Sequence, residues 1–146
     1  MRIYLDNCCL GRPFDNQSFP RIFIETQAKL FIQGQIKSGK IEMATSYILH
    51  YENILCSNEA KRESVEDFLK SYSSIYIDIT FADKVVAKAE KFISEGIKSK
   101  DAYHVASAIL AECDYFLTTD DRLMKHKVNE IIMINPLEFV QILEAN

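Results

Sequence analysis

Asp6, Glu52, Asp101 and Asp120 are the residues whose types and settings point to chemistry. Asp6 closes the apolar run Ile3-Tyr4-Leu5, so a buried strand would deliver a carboxylate at its end. Asp120 follows "YFLTT" in the same way, and Asp101 opens an alanine-rich helical segment. Glu52 shares a helical stripe with Ile48, Leu49 and Leu55. An acid that closes an apolar strand needs a partner, because desolvating it alone is costly. Plain structural readings exist too: Asp101 and Asp120 as helix caps or first-turn acids, Glu52 as a tilted surface residue. Gathered at one place, four carboxylates ionise together only with cations among them. Hard divalent ions that take oxygen ligands, Mg2+ or Mn2+, suit such a set. Zinc suits it less, because the histidines are badly placed for an N/S site. An ion of this kind activates water and stabilises charge on a phosphoryl group.

The sulfurs are the competing chemistry. Cys8 and Cys9 follow Asp6 directly, and Cys56 and Cys113 lie far away. No C-x-x-C occurs, and the spacings fit neither a zinc ribbon nor a disulfide scaffold. These thiols read as reduced packing residues. A short strand begins the sequence without the basic and apolar segments of a secretory signal, and no apolar run reaches about 18 residues. The expectation is a cytoplasmic protein with no membrane span.

The elements must bring the acids together. Residues 2–6, 41–45, 74–80, 115–119 and 130–135 read as strands. Helices are expected over 20–37, 46–56, 58–72, 81–96, 101–113 and 136–145, with a turn or two after Asp120. Pro20 and Ser46 suit helix starts, and Gly39 and Gly96 suit helix ends. The segment "GRPFDNQSF" (11–19) reads as a loop from its turn residues. Alternating strands and helices predict an α/β fold, with a mostly parallel five-stranded sheet covered on both faces. In such sheets the site lies beyond the carboxyl ends of the strands, so Asp6 and Asp120 should meet there. With 146 residues, 48% of them hydrophobic, the chain reads as a single domain over 1–146. Its formal charge of −4 argues against a free-standing, non-specific nucleic-acid binder. Without the four acids that charge would be zero, and bound divalent ions would make the cleft locally positive.

In order and spacing, "YLDN", a helix carrying "YE", "KSKDAYHVASA", "FLTTDDRL" and "INPLEFV" resemble the PIN-domain nucleases over nearly the whole chain. The resemblance implies a PIN-like three-layer sandwich and a metal-dependent ribonuclease. Asp6, Glu52, Asp101 and Asp120 would be its catalytic, metal-binding quartet. Thr118 matches a supporting hydroxyl, with Asn7 and Asp121 beside the quartet. Resemblance to the family's small single-domain members, the VapC-type toxins, implies a homodimer and an antitoxin that silences the site. Arg12, Lys98, Lys100, Arg122 and Lys125 flank the expected cleft as RNA contacts. Two features depart from the family pattern: the 11–19 loop, and Asn7-Cys8 where a small hydroxyl residue is common.

Rival readings want residues that are missing. A haloacid-dehalogenase-like phosphatase would need an acid at Cys8. A receiver domain would need an aspartate where Thr80 closes the third strand and a lysine where Asn135 precedes Pro136. The remaining alternative is an inactive PIN-like scaffold that binds nucleic acid or protein. His104, three residues after Asp101, reads as a hydrogen-bonded, partly buried histidine; His50 and His126 show no recognisable partner.

Overall fold

A computed structural model describes residues 1–145. The strands are β1 (Arg2–Leu5), β2 (Glu42–Ser46), β3 (Ser73–Ile77), β4 (Tyr115–Leu117) and β5 (Ile132–Ile134). The helices are α1 (Asn7–Gly11), α2 (Pro20–Lys37), α3 (Tyr47–Ile54), α4 (Glu59–Tyr72), α5 (Ala82–Ser94), α6 (Ser99–Leu110), α7 (Asp121–Met124) and α8 (Pro136–Ala145). The strands form one sheet in the order β3-β2-β1-β4-β5, and every pairing is parallel. Helices flank this sheet, which makes the three-layer, PIN-like α/β architecture expected from the sequence.

The strands are buried because apolar residues fill both faces of the central ones. Ile3, Tyr4, Leu5, Met43, Ala44, Phe116 and Leu117 are all essentially inaccessible. Tyr4 stacks on Phe116 with ring centroids 5.4 Å apart. Helix α2 starts at Pro20, whose missing N–H costs nothing at a first turn. It is closed by Gly39 at φ 77°, with Lys40 N donating to the Gln35 carbonyl at 3.0 Å. Ser46 caps α3 by accepting from Leu49 N at 3.3 Å.

Several boundaries differ from the sequence reading, and three of them have a clear local cause. The expected 11–19 loop follows an unanticipated helix. Asp6 accepts from Asn7 N at 2.8 Å, α1 buries Cys9 and Leu10, and a 3-10 turn follows at Arg12–Phe14. The capping carboxylate and the apolar Cys9-Leu10 pair outweigh the turn signals that come after them. The third strand ends at Ile77 rather than Thr80, because Asp78 accepts from Thr80 N at 2.9 Å and opens a 3-10 turn. The fourth strand is Tyr115–Leu117, so Thr118 and Thr119 belong to the strand-to-helix connection.

The strand order creates the site. From β1 the chain moves outward to β2 and β3, then returns to the other side of β1 for β4 and β5. The order therefore reverses between β1 and β4, and a crevice opens past the carboxyl ends of such a pair. Leu5 is in register with Leu117, so the residues that follow, Asp6 and Thr118, face each other across that crevice.

Candidate active site

Asp6 is buried, and both of its carboxylate oxygens are positioned. Asn7 N donates to Oδ1, and Thr118 Oγ1 donates to Oδ2 at 3.0 Å. The same Thr118 hydroxyl accepts from Asp120 N at 3.1 Å. One threonine thus ties the acid after β1 to the backbone of the acid after β4. Asp120 caps α7 through Oδ1, accepting from Arg122 N at 2.9 Å and Leu123 N at 3.4 Å. Its capping role and its place in the crevice coexist.

Asp101 lies in the first turn of α6, and no hydrogen bond reaches its carboxylate among the described residues. Burial lifts its pKa above the ordinary carboxylate value, and the negative charges of Asp6 and Asp120 lift it further. The three aspartates therefore already sense one another.

Glu52 is held differently. Its carboxylate bonds His104 Nε2 on one oxygen and meets Lys100 Nζ at 3.3 Å on the other. Burial pushes its pKa up, but the His104 hydrogen bond and charge, aided by Lys100, leave it below the ordinary value. His104 is fully buried, and its Nδ1 lies 2.6 Å from the Tyr4 hydroxyl. That hydroxyl lies 2.7 Å from Ser46 Oγ. A buried chain Ser46–Tyr4–His104 thus fixes Glu52 from three different elements, β2, β1 and α6.

All four acids line one cleft of about 330 Å3, together with Asn7, Cys8, Arg12, Asp15, Lys61, Lys100 and His104. Asp101 and Asp120 also border an adjoining pocket with Lys98, Arg122 and His126. The carboxylates surround the cleft rather than touching. Among the described residues no three His, Cys, Asp or Glu side chains stand close enough to hold an ion unaided. An all-oxygen set spread around a cleft suits Mg2+ or Mn2+. Mg2+ in particular keeps several waters and is held by one or two carboxylates.

No family model and no curated protein matches the chain. Several solved structures are similar in fold, two of them as follows. VapBC2 from Rickettsia felis bound to a DNA fragment from their promoter matches with TM-score 0.57 and 17% identity, over 92% of this chain and 98% of that chain. FitAcB from Neisseria gonorrhoeae matches with TM-score 0.54 and 17% identity, over 92% and 97%. Identity this low carries the fold alone. This corrects the resemblance to PIN-domain, VapC-type ribonucleases: it does not stand as a family assignment. The "YLDN" and "FLTTDDRL" motifs are short, and the strand ends of a parallel sheet dictate much of their pattern.

The remaining sequence candidates divide by position. Asn7 lines the cleft, and Thr118 bridges Asp6 and Asp120. Asp121 instead turns outward and pairs with Arg21 at 2.7 Å, which holds its pKa low. Arg12 reaches the cleft but is tied to Asp15 at 2.8 Å and Glu25 at 2.9 Å. Lys100 is engaged by Glu52, and Lys98 and Arg122 edge the adjoining pocket. Lys125 is exposed and lines neither cavity.

Sequence reasoning missed Lys61, which reaches the cleft from α4, and the Tyr4–Ser46 support. A lysine on a solvated helix gives no local signal; Tyr4 beside Asp6 gave one, as a polar tip inside an apolar strand. His50 does have a partner, Glu66 at 3.2 Å, and its ring meets Tyr76 edge-on. Cys8 lies against Asp6 Oδ2 at 3.5 Å, and Thr119 N donates to its sulfur. The Cys9 thiol's hydrogen bond holds the Cys8 pKa below its ordinary value, against burial and the Asp6 charge. Cys9 and Cys113 are buried packing residues, as expected.

Proposed function

We propose that this protein is a divalent-metal-dependent endoribonuclease that hydrolyses RNA phosphodiester bonds at the Asp6–Glu52–Asp101–Asp120 cleft. The observation that carries the reading is the meeting of Asp6, Asp101 and Asp120 where the strand order reverses, with repulsion among them that a bound cation would relieve. Bound there, Mg2+ or Mn2+ would supply an activated water and charge stabilisation for the phosphoryl group. Asp6, Asp101 and Asp120 are the residues that would hold the ion. Thr118 sets the rotamer of Asp6. Glu52, kept ionised by His104 and Lys100, would orient water at the cleft. Lys61 at the cleft, with Lys98 and Arg122 at its neighbour, would receive the RNA backbone.

We read the chain as the toxin of a toxin–antitoxin pair, active in the cytoplasm and silenced by an antitoxin, a reading with which the fold shared with VapBC2 and FitAcB agrees. No helix among the described residues is long and apolar enough to cross a membrane. The exposed apolar side chains Tyr51, Leu55 and Ile79 beside the cleft suit a second copy of the chain, as in a homodimer. A monomer by light scattering at assay concentration would remove that part of the reading.

A second reading, an inactive binding scaffold, is favoured by the lack of a ready-made ion shell among the described residues. One experiment separates the two. Purified protein, Asp6→Asn and Asp101→Asn are each incubated with a mixed pool of structured RNAs, with and without Mn2+. Cleavage that needs Mn2+ and is lost in both variants supports the nuclease; absence of both cleavage and Mn2+ binding leaves the scaffold.

A further inference from the structure

A second charged region lies away from the cleft. Lys29, on α2, is only 6% exposed, yet no carboxylate pairs with it among the described residues. Its ammonium donates to Gln33 Oε1 and lies 5.3 Å from the centre of the Phe68 ring. A neutral amide and an aromatic face compensate a buried ammonium only in part. Lys29 borders a pocket of about 250 Å3 between α2 and α4. The exposed Lys37 stands at its mouth, over the Tyr72 ring, and Ser71 and Tyr72 also line it. Asp67 is the one acid on its lining; it is exposed and makes no ion pair with either lysine.

We propose that this pocket is a binding site for a small oxyanion, with Lys29 as its buried cationic ligand and Lys37 as the charge at its mouth. The anion supplies the counter-charge that the fold withholds from Lys29. Gln33 holds the ammonium in place through its carbonyl, which leaves its amide N–H2 as a neutral donor. Phe68 forms an apolar wall, so a bare ion or one on a short apolar body fits. The site is independent of the nuclease reading, because none of these residues borders the acidic cleft.

Burial lowers the pKa of Lys29 to about 8, with Cys9 raising it and Lys37 lowering it by smaller amounts. At pH 9 the amine is mostly neutral, so binding an anion draws in a proton. Titration calorimetry of metal-free protein at pH 9, with inorganic phosphate at constant ionic strength, reads both events. The expected result is saturable binding with an enthalpy that depends on the buffer's ionisation heat, as uptake of up to one proton per anion requires. Lys29→Met should abolish the saturable phase, and Lys37→Ala should weaken it by about threefold to fivefold. Lys91→Ala, exposed on α5 and lining none of these cavities, should leave it unchanged. Acetate run in parallel separates a carboxylate ligand from a phosphate one; saturation by either supports the site. A response that is linear in salt, or equal in the parent, Lys29→Met and Lys37→Ala, overturns it. So does saturable binding with no buffer dependence.

Discussion

Glu25 and the cleft aspartates are all buried or partly buried acids, yet they are treated in opposite ways. Glu25, 3% exposed, accepts from Arg12 Nε at 2.9 Å, Arg21 Nε at 3.2 Å and Asn135 Nδ2 at 2.5 Å. Both carboxylate oxygens have donors, two of the three cationic, and the group ties α2 to the 3-10 turn at Arg12 and to the end of β5. Asp6 and Asp120 receive only neutral donors, and Asp101 receives none among the described residues. Arg12 and Arg21 donate through five nitrogens to Glu25, Asp15, Asp121 and the Thr119 carbonyl, and none of these donors reaches Asp6, Asp101 or Asp120. Where a fold has cations to hand and spends them elsewhere, the acids left facing one another are a site for something that binds. Lys29 is the same situation with the sign reversed.

The largest test of this contrast is Asp101→Asn. Loss of one ion-holding carboxylate should cut RNA cleavage by on the order of 10²-fold or more. Thermal stability without metal should hold or rise, because a repelled charge has gone. A Mn2+-induced rise in Tm that survives in the variant would break the assignment.

Lys29 should make stability depend on pH. Its folded pKa of about 8 lies below the ordinary 10.5, so the unfolded chain holds more protons between those values. Stability should therefore rise from pH 8 to 10.5, by on the order of 2–3 kcal/mol, and Lys29→Met should flatten that rise. Urea melts across the window measure it.

Glu25→Gln should cost about 2 kcal/mol in urea denaturation, with cleavage per folded molecule unchanged. The cost is tempered because Arg21 is half-exposed and Arg12 keeps Asp15. A fall in cleavage at full occupancy of the folded state would mean the two regions are coupled. His104→Phe leaves Glu52 unguided and the Tyr4 hydroxyl short of a partner. Cleavage should fall about tenfold, while Mn2+ affinity at the aspartates changes less. Smallest is Arg122→Ala, which should reduce the slope of log affinity against log salt by about one unit, read on single-stranded RNA binding. A slope equal to that of the parent would remove Arg122 from the RNA path.

Much of the frame was legible because it is written in local terms. The apolar run before Asp6, the 18-residue helix from Pro20 to Lys37, the Ser46 cap and the Gly39 and Gly96 helix ends each depend on neighbours within a few residues. The placement of Asp6 and Asp120 at one edge followed from the parallel sheet alone. Helix α1 was missed because its cap is the same carboxylate that reads as chemistry, and its five residues are too few to show a period.

The sequence by itself thus determined the parallel α/β layering and the carboxylates at the ends of β1 and β4, since alternation and strand ends are short-range properties. Tertiary structure alone decided which charges were answered. Arg21 went to Glu25 and Asp121, His104 to Tyr4 and Glu52, and Lys29 to no acid among the described residues. Most of those pairings span tens of residues or more, and Coulomb energies depend on distance and burial, neither of which a linear pattern carries.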